Sequence, residues 1–532
     1  MPPAVVSGPY LQAVGPTSAL VVWRTSTPDE GRVTASTQRH SGLLTFHQAS
    51  PPDAASLDVI VALTGLHPHT TYAYRMWGTA GELLPGQEFQ FTTLWGPSDS
   101  QTAPVPDTAA QPPPSPSALA SLPVRLLLLG DVGTGTGSTI VPAVLSAAAS
   151  FAAKTLTAPS ALVLLGDQGY EHGADSAYTL NLFQPLQSLL ATTPMFPVPG
   201  NRDGLRSAIL RHGQETGPYF TRFFAPREGE SGGLASHSGV YYAVDVGALH
   251  LIVLDSVFSD RSAGGAMANW LRADLAALNG TQWLVAVWHH PPYSKGGTDS
   301  DFDRTAIEMR ETFLPLLEAA GVDVIVSGHA HNYERSVLID GAYGSSDEFG
   351  DGNVVDAGLG APPDVPYVKP PGLVAHKGCV AVVAGSAGDI NYKNYGMMHP
   401  THLRLAGGAG RPALLKMHGL LEAGSFFIDV DPENSTLTGT FVTANGDVGD
   451  RFAIVKRAGA QEATRAQLAS VSASSRGQLQ RAQSLVPVAT GAWSESLWLV
   501  ILLAIAVQFV WSLFLAKRRK GAKVEPPVDE PV

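Results

Sequence analysis

Val124-Arg125-Leu126-Leu127-Leu128-Leu129-Gly130-Asp131-Val132-Gly133 is a mostly apolar run, too short for a helix, that stops at a glycine and then delivers a carboxylate. The same grammar recurs along the chain. Ala161 to Leu165 runs into Gly166-Asp167-Gln168-Gly169-Tyr170, Trp283 to Trp288 into His289-His290-Pro291, and Val322 to Val326 is followed by Gly328-His329-Ala330-His331. A fifth cluster, Gly200-Asn201-Arg202-Asp203, falls between the second and third. The intervening stretches are helical in pattern. Ile140 to Ala153 is small and apolar, and Arg304 to Ala319 places Ile307, Leu314 and Leu317 on one face, with Gly321 just past its end. Strands alternating with helices predict an α/β layer architecture, in which chemistry gathers at the carboxyl ends of the strands. The polar clusters begin there.

Their donor types define the chemistry. Asp131 and Asp167 are hard oxygen donors, His289, His329 and His331 are imidazoles, Tyr170 offers a phenolate and Asn201 a neutral carbonyl oxygen. This mixture suits Fe, Zn or Mn better than Ca or Mg, which favour oxygen alone. One carboxylate can bridge two cations, so these side chains suffice for a two-metal site. Of the pair His289-His290, a strand ending at Trp288 delivers His289 directly, and His290 reads as a supporting histidine. The glycines around Asp131 and Asp167 allow sharp turns and close backbone approach.

Asp-x-Gly, Gly-Asp-x-x-Tyr, Gly-Asn-x-Asp, His-x-Pro and Gly-His-x-His, with Asn332-Tyr333-Glu334-Arg335 following, resemble the purple acid phosphatase family of metallophosphoesterases, within the calcineurin-like phosphoesterase superfamily. Pro218 to Phe223, Tyr241 to Asp245, Trp270 to Leu275 and Ser425 to Lys456 are similar to segments of that family, so the likeness covers about Pro123 to Lys456. It implies a two-sheet β-sandwich flanked by helices. It also implies an Fe(III) held by Asp131, Tyr170 and His331, a divalent Zn, Mn or Fe held by Asn201, His289 and His329, and Asp167 bridging them. The implied reaction is hydrolysis of a phosphate monoester by a metal-bound hydroxide.

Two positions depart from the family pattern. Arg202 stands where the family has a histidine after Gly-Asn; it reads as a phosphate clamp beside Asn201, the alternative being an arginine paired with Asp203 or Glu171. Relatives often place a histidine shortly after His-x-Pro as general acid, whereas Tyr293 to Asp303 holds Lys295, Asp299, Asp301 and Asp303 but no histidine. His290 or water is left to protonate the leaving group.

Ahead of this region, Ala19 to Trp23, Val61 to Leu63, Thr70 to Arg75 and Phe89 to Thr92 are β-prone runs set off by turn residues. Residues 5–95 read as a small β-sandwich with core aromatics Trp23 and Tyr72, and Leu63 to Pro68 followed by Thr71-Tyr72 resembles a fibronectin type III module. The Pro- and Ser-rich residues 96–122 read as an extended linker, 123–457 as the catalytic domain and 458–496 as an Ala-, Ser- and Gln-rich stalk. Residues 497–516 contain only Gln508 and Ser512 as polar members, long enough for a transmembrane helix. Residues 517–532 form a basic, then acidic tail beginning Lys517-Arg518-Arg519-Lys520, a run that excludes a lipid-anchor tail signal.

The positive-inside rule keeps that basic run cytoplasmic and the catalytic domain extracellular or lumenal. Met1 to Leu11 has no apolar signal core, so this arrangement expects a leader ahead of it; the alternative is a tail-anchored protein with a cytosolic catalytic domain. The formal charge of −12 argues against nucleic acid as a standing partner. Cys379 is the only cysteine, so there is neither an internal disulfide nor a multi-thiolate site, and it reads as a buried strand residue. Tyr333 to His376, rich in Gly, Asp and Pro, reads as a long loop over the active site. Met397-Met398-His399 and Met417-His418 read as packing and surface residues. Besides the monoesterase, two further functions fit the same residues: a diesterase or nucleotide pyrophosphatase, and a binding or adhesion protein with a decayed site.

Overall fold

The computed structural model describes residues 3–37, 40–49, 56–95, 121–133, 139–155, 157–209, 213–279, 281–361, 365–390, 401 and 420–458. Two large sheets stack face to face. One holds ten strands, among them the parallel set Val124–Leu129, Ala161–Leu164 and Met195–Pro197. The other holds six, with Leu249–Val253, Trp283–Val287, Val324–Ser327 and Val380–Ala384 parallel.

Alternation along a strand decides which residue faces which layer. Leu126 and Leu128 join Val285 and Val287 in the core between the sheets. Their neighbours Leu127 and Leu129 turn outward onto Val141, Val144 and Ala148 of the helix Ile140–Lys154. Leu284 and Ala286 likewise pack on Met267 and Leu271 of the helix Ala266–Ala277 and on Met309, Phe313 and Leu317 of the helix Arg304–Ala319. Runs buried on both faces are almost wholly apolar, with Arg125 and His250 as exceptions, which is why these strands stand out in the sequence. The result is a metallophosphoesterase-like sandwich of two sheets between helices.

The all-β module at the N terminus is built from Val5–Gln12, Ser18–Thr25 and Asp58–Thr64 on one side and His40–His47, Arg32–Thr37, Thr71–Gly78, Gly81–Glu82 and Phe89–Thr92 on the other. Trp23 and Tyr72 are fully buried in it. Its first sheet is continuous with the larger one, because Gln12 pairs in parallel with Met195. Arg222, with no exposed side-chain surface, reaches Asp58 at 3.1 Å, and Tyr10 stacks on Phe183 at 4.3 Å. The Tyr74 hydroxyl donates to the Ala191 carbonyl at 2.8 Å.

Residues 333–376 do not form the free loop expected of them. Tyr333–Arg335 pairs with Val380–Ala384, Leu338–Ile339 with Val354–Asp356, and Tyr367–Lys369 with Val448–Lys456. Arg335, buried, is held by Asp450 at 2.5 Å. Strands of two or three residues are too short to show a periodicity among glycines and prolines. Cys379 is buried beside Ile339, as a small core residue. Among the described residues no helix is long and apolar enough to cross a membrane. The anticipated linker (all but 121 and 122), all but the first residue of the stalk, the span 497–516, the tail and the Met-His pairs lie outside the described residues.

Candidate metal centre

The carboxyl ends of both parallel sets open onto one place. Sharp turns bring the donors in: Asp131, Asp167 and His329 have left-handed backbone angles, φ 58°, 55° and 65°, each costing on the order of 1 kcal/mol for a side chain other than glycine. Glycine is required where strands converge. A Cβ on Gly166 would sit 2.3 Å from His289 Nδ1, and one on Gly200 would sit 2.0 Å from the Asp167 backbone nitrogen.

Two donor groups result. In the first, Tyr170 Oη lies 2.8 Å from His331 Nε2, 3.1 Å from Asp167 Oδ2 and 3.3 Å from Asp131 Oδ1, with His331 Nε2 3.4 Å from Asp131 Oδ1. In the second, Asn201 Oδ1 lies 3.0 Å from His289 Nε2 and 2.9 Å from His329 Nδ1. Asp167 stands between them, its Oδ1 3.5 Å from His289 Nε2. Donor atoms of Asp131, Asp167 and His289 lie within 4.8 Å of one another, joining the two groups. Neighbouring ligands of one ion, at bonds of about 2.0–2.2 Å, are separated by roughly 3 Å. All the donors singled out in the sequence are therefore brought together.

Each histidine is also oriented from behind. His289 Nδ1 meets the Leu165 carbonyl at 2.8 Å, His329 Nε2 lies 3.5 Å from Asp303 Oδ2, and His331 Nδ1 lies 3.2 Å from Asp389 Oδ2. Acceptors so placed favour a proton on the outer nitrogen, which turns the inner nitrogen toward an ion, the arrangement a metal-binding imidazole needs.

Electrostatics separate the groups. Burial, then Asp131 and Asp167, pushes the Tyr170 hydroxyl far above the ordinary phenol range, so a phenolate there needs cationic charge beside it. Burial opposes charge on His331, but Asp131 and Asp389 outweigh it and push it up to about 9. In the second group burial takes His289 down to about 4, so that imidazole is neutral. The fit to two cations of unequal charge is good: an anionic donor set on one side and neutral donors on the other.

Arg202 donates its backbone N–H to Asp167 Oδ1 at 2.7 Å, while its exposed guanidinium lies 5.7 Å above the Tyr170 ring and makes no ion pair among the described residues. It is not turned to Asp203. That buried carboxylate accepts N–H groups from Gln168 (3.1 Å), Gly169 (3.0 Å) and Gly200 (2.9 Å) and the Tyr178 hydroxyl at 3.1 Å, tying two ligand loops together. His290 Nδ1 meets the Ser256 hydroxyl at 2.8 Å, and its ring lies 4.3 Å from that of His329. Burial pushes it well below the usual imidazole range.

Sequence reasoning did not assign Asp303 and Asp389 their places. Asp303 is the N-cap of the helix Arg304–Ala319, accepting from Thr305 and Ala306, a role that hides its second contact. Asp389 had a signal: it follows the apolar strand Val380–Ala384 and Gly385-Ser386-Ala387-Gly388, the same grammar as the other clusters.

Residues 124–333 match the calcineurin-like phosphoesterase family. The chain is 29% identical over 290 residues to probable purple acid phosphatase 20 of Arabidopsis thaliana, covering 52% of this chain and 54% of that one. It is 28% identical over 301 residues to purple acid phosphatase 15 of the same plant, covering 52% and 49%. The chain thus spans about half the length of the curated relatives it matches. Among solved structures, purple acid phosphatase PPD1 from yellow lupin (Lupinus luteus) seeds is similar in fold, with a TM-score of 0.60 at 16% identity over 86% of this chain and 74% of that one. The protein carries a calcineurin-like phosphoesterase domain. Its homologues include plant purple acid phosphatases.

Proposed function

We propose that the protein hydrolyses phosphate monoesters at a binuclear metal centre. Asp131, Tyr170 and His331 would hold a trivalent iron, Asn201, His289 and His329 a divalent Zn, Mn or Fe, and Asp167 both. The observation that carries this reading is the position of Asp167, with Oδ2 3.1 Å from Tyr170 Oη and Oδ1 3.5 Å from His289 Nε2. When bound, such a pair supplies Lewis acidity toward phosphoryl oxygens and an activated water near neutral pH.

The chain's own residues do the rest. Arg202, unpaired among the described residues and at the rim, is placed to fork onto phosphate oxygens, with Asn201 beside it. Its charge supplies local attraction on a molecule of net charge −12. Lys295 is occupied by Asp299 at 2.5 Å and Asp301 at 2.7 Å, so it does not compete for substrate. His290 is kept neutral by burial, meets Ser256 through Nδ1 and packs its ring against that of His329, which favours a packing role for it and water as the donor to the leaving group.

Metal analysis with activity on paired mono- and diester chromogenic substrates tests the proposal. Two ions per chain and monoester preference are expected. Diester preference would instead select a diesterase or pyrophosphatase on the same ions, and a metal-free, inactive protein would leave a binding protein. We further propose that 497–516 anchors the chain, with the catalytic domain extracellular or lumenal; the motivation is the apolar run ahead of Lys517-Arg518-Arg519-Lys520. Digestion of the tail by protease on sealed cytosol-inside vesicles would reverse that orientation.

A further inference from the structure

Glu318, the penultimate residue of the helix Arg304–Ala319, is 2% exposed, yet no lysine or arginine among the described residues pairs with it. Its Oε2 is satisfied by the Gly341 N–H at 2.8 Å and the Tyr343 hydroxyl at 2.6 Å. Its Oε1 meets the weak Cys379 thiol, at 3.9 Å. The Asp340 carboxyl lies against it, and burial foremost, with Asp340 adding, pushes Glu318 up to about 7 against the hydrogen bonds it accepts. His376 completes the group: its backbone N–H donates to the Glu318 carbonyl at 3.0 Å and its Nδ1 lies 3.3 Å from the Asp340 carboxylate. One donor atom each from Glu318, Asp340 and His376 lie within 4.8 Å of one another.

Two carboxyls in contact, one of them buried and neither paired to a lysine or arginine among the described residues, need a cation or a shared proton between them. We propose that Glu318, Asp340 and His376 form a separate divalent-cation site, for a first-row ion of the zinc or manganese class. Two carboxylate oxygens and one imidazole nitrogen match that class, and open positions would be filled by water. The His376 side chain is 53% exposed, which gives an ion a path in. The site would pin three segments: the helix end, the turn at Asp340 and the chain entering Val380–Ala384. The turn is tied in its own right to the His289 loop, since the Tyr293 hydroxyl donates to the Ala342 carbonyl at 2.6 Å.

The test is a zinc titration of the full chain and of His376→Ala, reading bound zinc per chain and the zinc-dependent shift in Tm. The site predicts one zinc equivalent fewer in His376→Ala, and a zinc-dependent rise in Tm smaller by several degrees than that of the wild type. Equal zinc content and equal shifts would overturn it. Glu318→Gln separates the remaining alternative. A metal ligand lost reduces the zinc response as His376→Ala does, whereas a shared proton replaced by an amide leaves the response as in the wild type and raises Tm with or without zinc. Because each reading is a difference between variants, the outcome does not depend on what the Asp167 centre binds.

Discussion

The two halves of the candidate centre are alike in spacing and unlike in charge. Around Tyr170 the donors are carboxylates, a phenol and a histidine backed by Asp389; around Asn201 they are an amide and two imidazoles, one of them, His289, kept neutral by burial. The difference teaches that one fold edge can prepare two unlike ion sites by varying the donors it delivers, carboxylates and a phenol on one side and an amide with two imidazoles on the other. An acid behind His331 and a backbone carbonyl behind His289 give the same ring orientation with different local charge.

The sharpest way to break this comparison is Asp167→Asn. If Asp167 serves both halves, kcat/KM should fall by ~10³-fold or more and both ions should bind more weakly in metal analysis; loss of one ion alone would show the halves to be independent. Next, Tyr170→Phe should abolish any visible phenolate-to-iron band while the divalent ion is retained, and Asn201→Ala should do the reverse. The backing acids come third. Asp389→Asn and Asp303→Asn should each weaken metal affinity by roughly 10–100-fold, each at its own half, as read by competition with a chelator. Arg202→Ala, outside the ligand sets, should raise KM about tenfold with little change in kcat.

Last is a histidine that resembles His331 in its flanking acids but sits away from the centre. Buried His250 lies 2.6 Å from Asp245 and 2.9 Å from Asp274. Burial opposes its charge, and the two carboxylates outweigh it and push it up to about 9. A raised value means the stabilisation is full below the unfolded pKa near 6.5 and is lost as pH rises through about 9. Its size is on the order of a few kcal/mol, and His250→Gln should flatten the pH dependence of Tm in that window without changing metal content.

The strands that carry the centre were legible because burial on both faces makes them almost wholly apolar, as in Trp283–Val287 and, Arg125 apart, Val124–Leu129. The ligand clusters were legible because they follow such runs, most of them at a glycine, with His289 coming straight off Trp288. What stayed hidden depends on contacts across the chain. Asp303 looks like a helix cap and is one; only the fold brings His329 beside it. Asp203 reads as a turn residue, yet its work is to gather backbone donors from a loop more than thirty residues away. The small strands within 333–376 are defined by partners as distant as Val448–Lys456 and carry no pattern of their own.

Gln12 and Met195 join the N-terminal sheet to the catalytic one at the strand that leads to Asn201. Removing residues 3–95 would therefore strip the flank of Met195–Pro197, leave its amides and carbonyls open to a second copy, and uncover Arg222 without Asp58. A shortened enzyme made that way should clump rather than merely weaken, because the small module is the selvedge of the larger cloth.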